Sequence, residues 1–459
     1  MHKHHKKFFQ HYLSSSLFFL TLFFILSNLL ITNSFAQQSV SGIYQNYTGF
    51  QLYNNHELVA GRNRLRGQFD RTLNFGGLYA EIDLIDRYTE DGEFEVLPRQ
   101  IYVDWFTSNY DVRIGKQNII WGQSTGAFVN DILTPVDLRE FLTQSPSDLR
   151  VGLTALNIQR YFGSNYLQLV LSPTIQPDKL PDSNSRWFPV QRPPSIIPFS
   201  FRSSNELSTI SDVQLAARFA WRPSSAIDLD LMAYYWAHPM PAYSIRPRIF
   251  SFPNTPEVTL RETYRTSPMG GYSLSWQLSE NWIFSAEGLY VNERLFTFLP
   301  VSVNRLEEAL NDPVEALQVL QEFDIRDDGY ILSKPWIQQM VGIQTSIKGA
   351  TVGAQGYIEV IINYEDRILP QQLFPYLSAF AQRSFLRERL STFVNGRYNI
   401  FGEDYWAQLQ AAYEISDGFE FMLGTNLFGG PSISPFYGHL TFEQFKQNSF
   451  LFAQTSIYF

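Results

Sequence analysis

DVRIGKQNIIWGQSTGAFVNDILTPVDLREFLTQSPSDLRVG, residues 111–152, is the stretch on which the fold turns. Its first third alternates as a strand does, with Val112 and Ile114 on one face and Arg113, Gly115 and Gln117 on the other. The alternation stops at Trp121-Gly122. The next thirty or so residues are too many for a hairpin turn and too apolar for a disordered loop, with Ile132, Leu133, Val136, Leu138, Phe141 and Leu142 between Asp131 and Thr143. Pro135-Val136-Asp137 can open a short helix there. The pattern predicts a strand feeding a structured loop, residues 121–150, that folds back into the hollow of a β-barrel and narrows it.

The amino terminus reads as an address. Lys3, Lys6 and Lys7 with four histidines make a basic start, Leu13–Ile31 is an apolar core, and Ser34-Phe35-Ala36 is a small-x-small cleavage site. Residues 1–36 are therefore expected to be a signal peptide cleaved after Ala36, rather than an anchor. Its removal takes three lysines and no other formal charge, moving the balance from −9 to −12. Such acidity argues against nucleic acid as a partner. There is no cysteine, hence no disulfide framework and no thiolate chemistry. Past residue 36 no apolar run approaches the roughly 18 residues of a membrane-crossing helix.

Strands crossing a membrane as a barrel need about 9 to 11 residues and alternate lipid-facing with lumen-facing side chains. Residues 37–459 supply them repeatedly as one domain. Ser41–Tyr53, Glu57–Asp70 and Asn74–Tyr88 come first, then Arg99–Thr107, Asp111–Ile120, Thr154–Phe162 and Tyr166–Ile175. Ser211–Trp221 and Ile227–Trp236 form a further hairpin, and a strand region runs to Leu278. Trp282–Arg294, Pro335–Lys348, Ala350–Asn363, Tyr376–Phe385, Leu390–Asn399, Tyr405–Glu414, Phe419–Phe428 and Asn448–Phe459 complete an all-β, antiparallel count of eighteen, with sixteen as the alternative. On the second strand Arg62, Arg64 and Arg66 share a face; on the third, Glu81 and Asp83 do. A charge ladder across the lumen wall is expected there, structural or substrate-orienting.

Two insertions break the β-pattern. Gln176–Leu207 is dense in Pro, Ser and Asn but carries Trp187, Phe188, Phe199 and Phe201, so it should pack on something. Within the loop insertion 300–328, Val303–Phe323 repeats Leu306, Leu310, Val314, Leu317 and Leu320 at helical spacing, interrupted at Pro313, as an extracellular helical lid would. The final strand alternates Leu451, Ala453, Thr455 and Ile457 and stops on Phe459, the kind of ending that barrel-assembly machinery reads.

Arg113-x-Gly115-Lys116-Gln117-x-x-x-Trp121-Gly122, followed by Asn130-Asp131-x-Leu133-x-Pro135-x-Asp137, resembles the signature of an uncharacterised family of Gram-negative outer-membrane β-barrels. Gly424-Thr425-Asn426-Leu427-Phe428-Gly429-Gly430 is similar to that family's penultimate strand. The resemblance implies association with RND-type exporters or transport of hydrophobic compounds, and a periplasmic transport partner. The insertion around Leu306–Leu320 matches nothing in it.

Chemistry is sparse. His56, His238 and His439 sit in separate loops and no Gly-x-Ser-x-Gly motif is present, so catalysis, a barrel-embedded hydrolase included, is not expected. Asp327-Asp328-Gly329 and the run Glu90, Asp91, Glu93, Glu95 lack the spacing of a calcium loop and read as solvated loop charge. Neither metal nor cofactor is implied. A channel or facilitator remains, embedded in the lipid bilayer and its lipopolysaccharide, with Arg113, Gln117, Trp121, Phe128, Asn130, Asp131 and Asp137 at the constriction. Phe128, Ile132, Leu133 and Phe141 either pack the loop against the barrel wall or form an apolar lining that would pass hydrophobic or amphipathic molecules. The alternative is a scaffold whose loops recruit a periplasmic or surface partner.

Overall fold

The structure, a computed structural model, describes residues 38–53, 56–89, 92–123, 127–188, 199–202, 212–248, 257–322, 328–434 and 437–459. The expected signal peptide lies outside them, as do Glu90, Asp91 and Asp327 of the two acidic runs. β1 (Gln38–Gln51), β2 (Leu58–Leu73), β3 (Gly76–Arg87), β4 (Glu93–Phe106), β5 (Tyr110–Gln117), β6 (Leu153–Phe162) and β7 (Asn165–Ser172) follow one another around a wall. β8 (Phe199–Arg202) leaves it, β9 (Gln214–Ser224) and β10 (Ile227–Ala237) rejoin, and β11 (Ala242–Arg248) and β12 (Glu257–Thr263) leave again. β13 (Thr266–Gln277), β14 (Trp282–Thr297), β15 (Ile331–Ile347), β16 (Ala350–Ile361) and β17 (Leu373–Phe385) continue the wall. β18 (Leu390–Asn399), β19 (Asp404–Ser416), β20 (Phe419–Gly429) and β21 (Phe450–Tyr458) complete it. The eighteen wall strands pair antiparallel in chain order, and β21 returns to β1, closing the barrel.

Closure is a backbone event at the terminal residue. Gly42 and Phe459 exchange N–H···O bonds of 2.8 and 3.0 Å, and the Phe459 ring lies where a Cβ on residue 42 would meet it at 2.3 Å. Only glycine fits at that seam. Every second connection is a turn of two to four residues, so one rim carries tight turns and both strand termini while the other carries all the long loops.

Period-two patterning gives each strand two fates. Ile114, Leu231, Val341, Leu377, Leu409 and Leu423 point outward and stay exposed, as a lipid-facing band does. Trp105, Phe106, Tyr161, Phe162, Trp221, Trp276 and Trp282 are exposed near the short-turn rim, the position of an aromatic girdle.

Three features depart from the sequence reading. β4 begins at Glu93, not Arg99, because a bulge opposite Glu81/Ile82 absorbs Arg99 and breaks the alternation there. Glu93 and Glu95 therefore stand on the wall rather than in a solvated loop; Glu95 lies 2.9 Å from Arg87. The residues before Leu278 make not one long strand but β13 plus β11 and β12, which form a separate sheet in which β12 pairs parallel to β8. The helical insertion is two helices, α1 (Val303–Asn311) and α2 (Pro313–Gln321), folded together and tied by Arg305 to Glu315 and Glu322. Ala316 and Val319 are buried, whereas Val314 and Leu317 of the helical repeat are exposed.

Candidate functional site

Between β5 and β6 the chain leaves the wall and crosses the lumen. At Trp121 the loop is anchored along the β7–β10 wall: the indole is fully buried, its Nε1 donates to Gln168 on β7 at 3.0 Å, and its ring packs 5.4 Å from that of Tyr234 on β10. Gly122 has φ +99, and a Cβ there would meet the Glu287 carboxylate at 2.8 Å. That close approach lets the Gln123 N–H donate to Glu287 of β14. Asn130, also fully buried, donates through Nδ2 to the Tyr272 carbonyl of β13 at 2.8 Å.

The second half of the loop meets the opposite wall. Glu140 accepts from Arg62 of β2 at 2.8 Å, and Thr143 Oγ1 from the same guanidinium at 3.1 Å. Asp148 lies 3.0 Å from Arg64 and 2.8 Å from Arg66. Arg66 also holds Asp83 at 2.7 Å, and Arg99 holds Glu81 at 3.0 Å while donating to the Asp148 carbonyl at 2.9 Å. β2 and β14 are halfway around an eighteen-strand ring from each other. The loop is thus a beam across the barrel, held by ion pairs at one end and at the other by backbone and amide N–H groups that donate to Glu287 and the Tyr272 carbonyl.

A second connection clamps the beam from the long-loop side. Lys179 and Leu138 pair backbone to backbone, the Lys179 N–H donating to the Val136 carbonyl at 2.9 Å and the Leu138 N–H to the Lys179 carbonyl at 2.8 Å. Asp178 Oδ1 accepts the Val136 N–H at 2.9 Å. Burial, with the charge of Asp131 nearby, pushes the Asp178 carboxyl up to about 7 against that hydrogen bond. Burial likewise lifts Asp131 above the ordinary carboxylate range despite its bond to Arg150. For Asp137 burial is outweighed by Arg139, 2.9 Å away through Nε, which holds that carboxyl below the range.

The residues expected at the constriction thus divide. Gln117, Trp121, Asn130 and Asp137 are buried among loop and wall and Asp131 is half-buried against Arg150, where they position the beam. Gln117 donates to the Ala155 carbonyl at 3.0 Å. Phe128 is 39% exposed under the Arg150 guanidinium, and Arg113 stacks 3.8 Å over Tyr102 while pairing with Asp104 at 2.6 Å. The expected ladder is present, but Arg62, Arg64, Arg66, Glu81 and Asp83 are joined to Arg99, Glu140 and Asp148 in a self-neutralising network. Of the two readings of the apolar loop residues, packing describes Ile132, Leu133 and Phe141, which are buried, the last reached through φ +48 and packed 4.7 Å from Phe445. Burying them against protein removes apolar area from water that a lumen position would leave wet.

Sequence reasoning missed Glu287, Arg99, Glu140 and Asp148. Glu287 left a signal, an acid between Ala286 and Gly288 at an inward position in the apolar part of β14, which is costly unless paired.

No family model matches the chain, and no curated protein matches it. Among solved structures, Acinetobacter baumannii OccAB4 aligns at TM-score 0.51 and 8% identity over 92% of this chain and 97% of that one. Pseudomonas aeruginosa OccD3 (OpdP) aligns at 0.50 and 8%, over 93% and 92%. The chain has the outer-membrane porin fold. A structure of Pseudomonas aeruginosa OpdK with vanillate aligns at 0.50 and 8%, over 93% and 99%. Identities this low carry the fold alone.

Proposed function

We propose that the chain is a passive outer-membrane channel for small polar solutes, with its short turns in the periplasm and its long loops outside. The observation that carries this is the beam: the described residues between 118 and 152 bond both to the β13–β14 wall and to the β2–β4 wall, and so cross the lumen. A barrel of eighteen strands is wide enough for an aqueous path unless loops fill it. The polar character comes from where the apolar loop residues go, into packing, and from the charged and amide side chains that the wall presents inward. That OpdK is named with vanillate, a small organic solute, accords with such a path. Deleting residues 126–143 should raise swelling rates of proteoliposomes in sugars that the intact protein excludes. Equal rates for the two proteins would remove the constriction from the account.

A further inference from the structure

The lumen holds two kinds of charge. On the β2–β4 wall every inward arginine has a carboxylate within 3.7 Å, as a buried cation demands. On the other side of the barrel three charged side chains break this rule. Arg294 of β14 lies 4.0 Å over the buried Trp336 ring and has no carboxylate within salt-bridge reach among the described residues. Arg397 of β18 stacks 3.7 Å over the Tyr376 ring, with the Asn399 amide oxygen, 3.1 Å from Nε, as its hydrogen-bond acceptor. Glu359 of β16 lies two strands from each, and no carboxylate–guanidinium contact within salt-bridge reach joins it to either among the described residues.

Two strands, about 10 Å across the wall, separate each group from the next, and the register sets Arg294 about four residues nearer the long-loop rim than Glu359 and Arg397 about four nearer the short-turn rim, so the three lie along a diagonal. Above them His439 stacks on Phe374 at 4.0 Å and 5°, capping the row from the loop side. Burial and, secondarily, both arginines press the His439 imidazole down to about 3, so the cap is neutral and adds no cation of its own. The row is cation, anion, cation, each with unused hydrogen-bonding edges, and each guanidinium is held flat by an aromatic face.

We propose that Arg294, Glu359 and Arg397 form a binding site for a planar solute carrying both an anionic and a cationic group. Its anionic end takes an arginine fork and its cationic end takes Glu359, completing charges that the protein leaves open. Two anion seats flank one cation seat, so the solute passes from one arginine to the other without leaving Glu359, the weak multi-site occupancy that conduction requires. The inference rests on the channel reading only in placing this row on a transport path.

The test uses the full chain in detergent, with 4-(aminomethyl)benzoate, benzoate and benzylamine as probes and calorimetry as readout. The zwitterion should bind at least tenfold tighter than either single-charge probe. Glu359→Gln should erase its advantage over benzoate while leaving benzoate affinity within a factor of two, and Arg397→Gln should weaken both. The heat-modifiable folded band on gels verifies each variant's barrel. Benzoate binding as tightly as the zwitterion, or no binding of any probe to folded protein, overturns the proposal. Binding as expected in a protein that shows no conductance in planar bilayers would sink the channel reading and leave the site standing.

Discussion

Replacing Asp148 by Ala removes the carboxylate that lies 3.0 Å from Arg64 and 2.8 Å from Arg66. Arg64 is fully buried, so breaking its pair approaches the about 3–5 kcal/mol typical of an orphaned buried ion. Asp83 stays behind at 3.6 Å from Arg64 and 2.7 Å from Arg66 and carries part of the load. The remaining cost is about 2–3 kcal/mol, which raises the fraction of time the beam is off the β2 wall roughly 30- to 150-fold. Acid should imitate the substitution. Burial favours the neutral form of Asp148, but Arg64, Arg66 and Arg99 outweigh it and hold the carboxyl below the ordinary carboxylate range. A depressed acid contributes stability above its unfolded value of about 3.9 and loses it as pH falls further. Single-channel recording in planar bilayers is the assay: excursions to a larger conductance level should become frequent in Asp148→Ala at pH 7. An unchanged level distribution would refute the ionic anchoring.

Trp121→Ala empties a fully buried site and should cost about 3–5 kcal/mol locally, read as faster amide exchange across residues 127–138 with the barrel strands still protected. Equal exchange in the two proteins would mean the indole does not hold the loop. Asp178 has a raised carboxyl, so the clamp it makes is fully present near pH 4 and weakens as pH rises to about 7. Protection of the Val136 and Lys179 amides, corrected for intrinsic exchange, should therefore be lower at pH 8 than at pH 5, and Asp178→Asn should abolish the difference. A pH difference that persists in Asp178→Asn would assign it to another group.

The barrel was legible because its rule is local. Arg62, Arg64 and Arg66 alternate with outward residues on β2, and the register sets Arg66 opposite Asp83, as period-two counting requires. The terminal Phe459 likewise marks a strand that needs no distant partner to be read. The site was less legible because its contacts are long-range: Arg62 meets Glu140 across 78 residues and Asn130 reaches Glu287 across 157. Trp121 and Asn130 were read as constriction residues, but a distinctive residue on a loop serves as well to seat the loop as to touch a solute, and both are fully buried. The β8–β11–β12 sheet was hidden for another reason. Its strands are four to seven residues long, flanked by prolines, and one pairing is parallel, so no hairpin signal announces it. In the helical insertion the spacing of Leu306, Val314 and Leu317 announced helix but did not mark the burial, which falls on Ala316 and Val319.

The lumen position of the beam is tested most directly at Phe128, the half-exposed aromatic on it. The natural chain has no cysteine, so Phe128→Cys gives a single addressable thiol. Treatment of the open channel in a planar bilayer with a charged methanethiosulfonate should lower its conductance stepwise, from either face of the membrane. A thiol that reacts only from the long-loop face and leaves the current untouched would put residues 118–152 outside the pore and contradict the account.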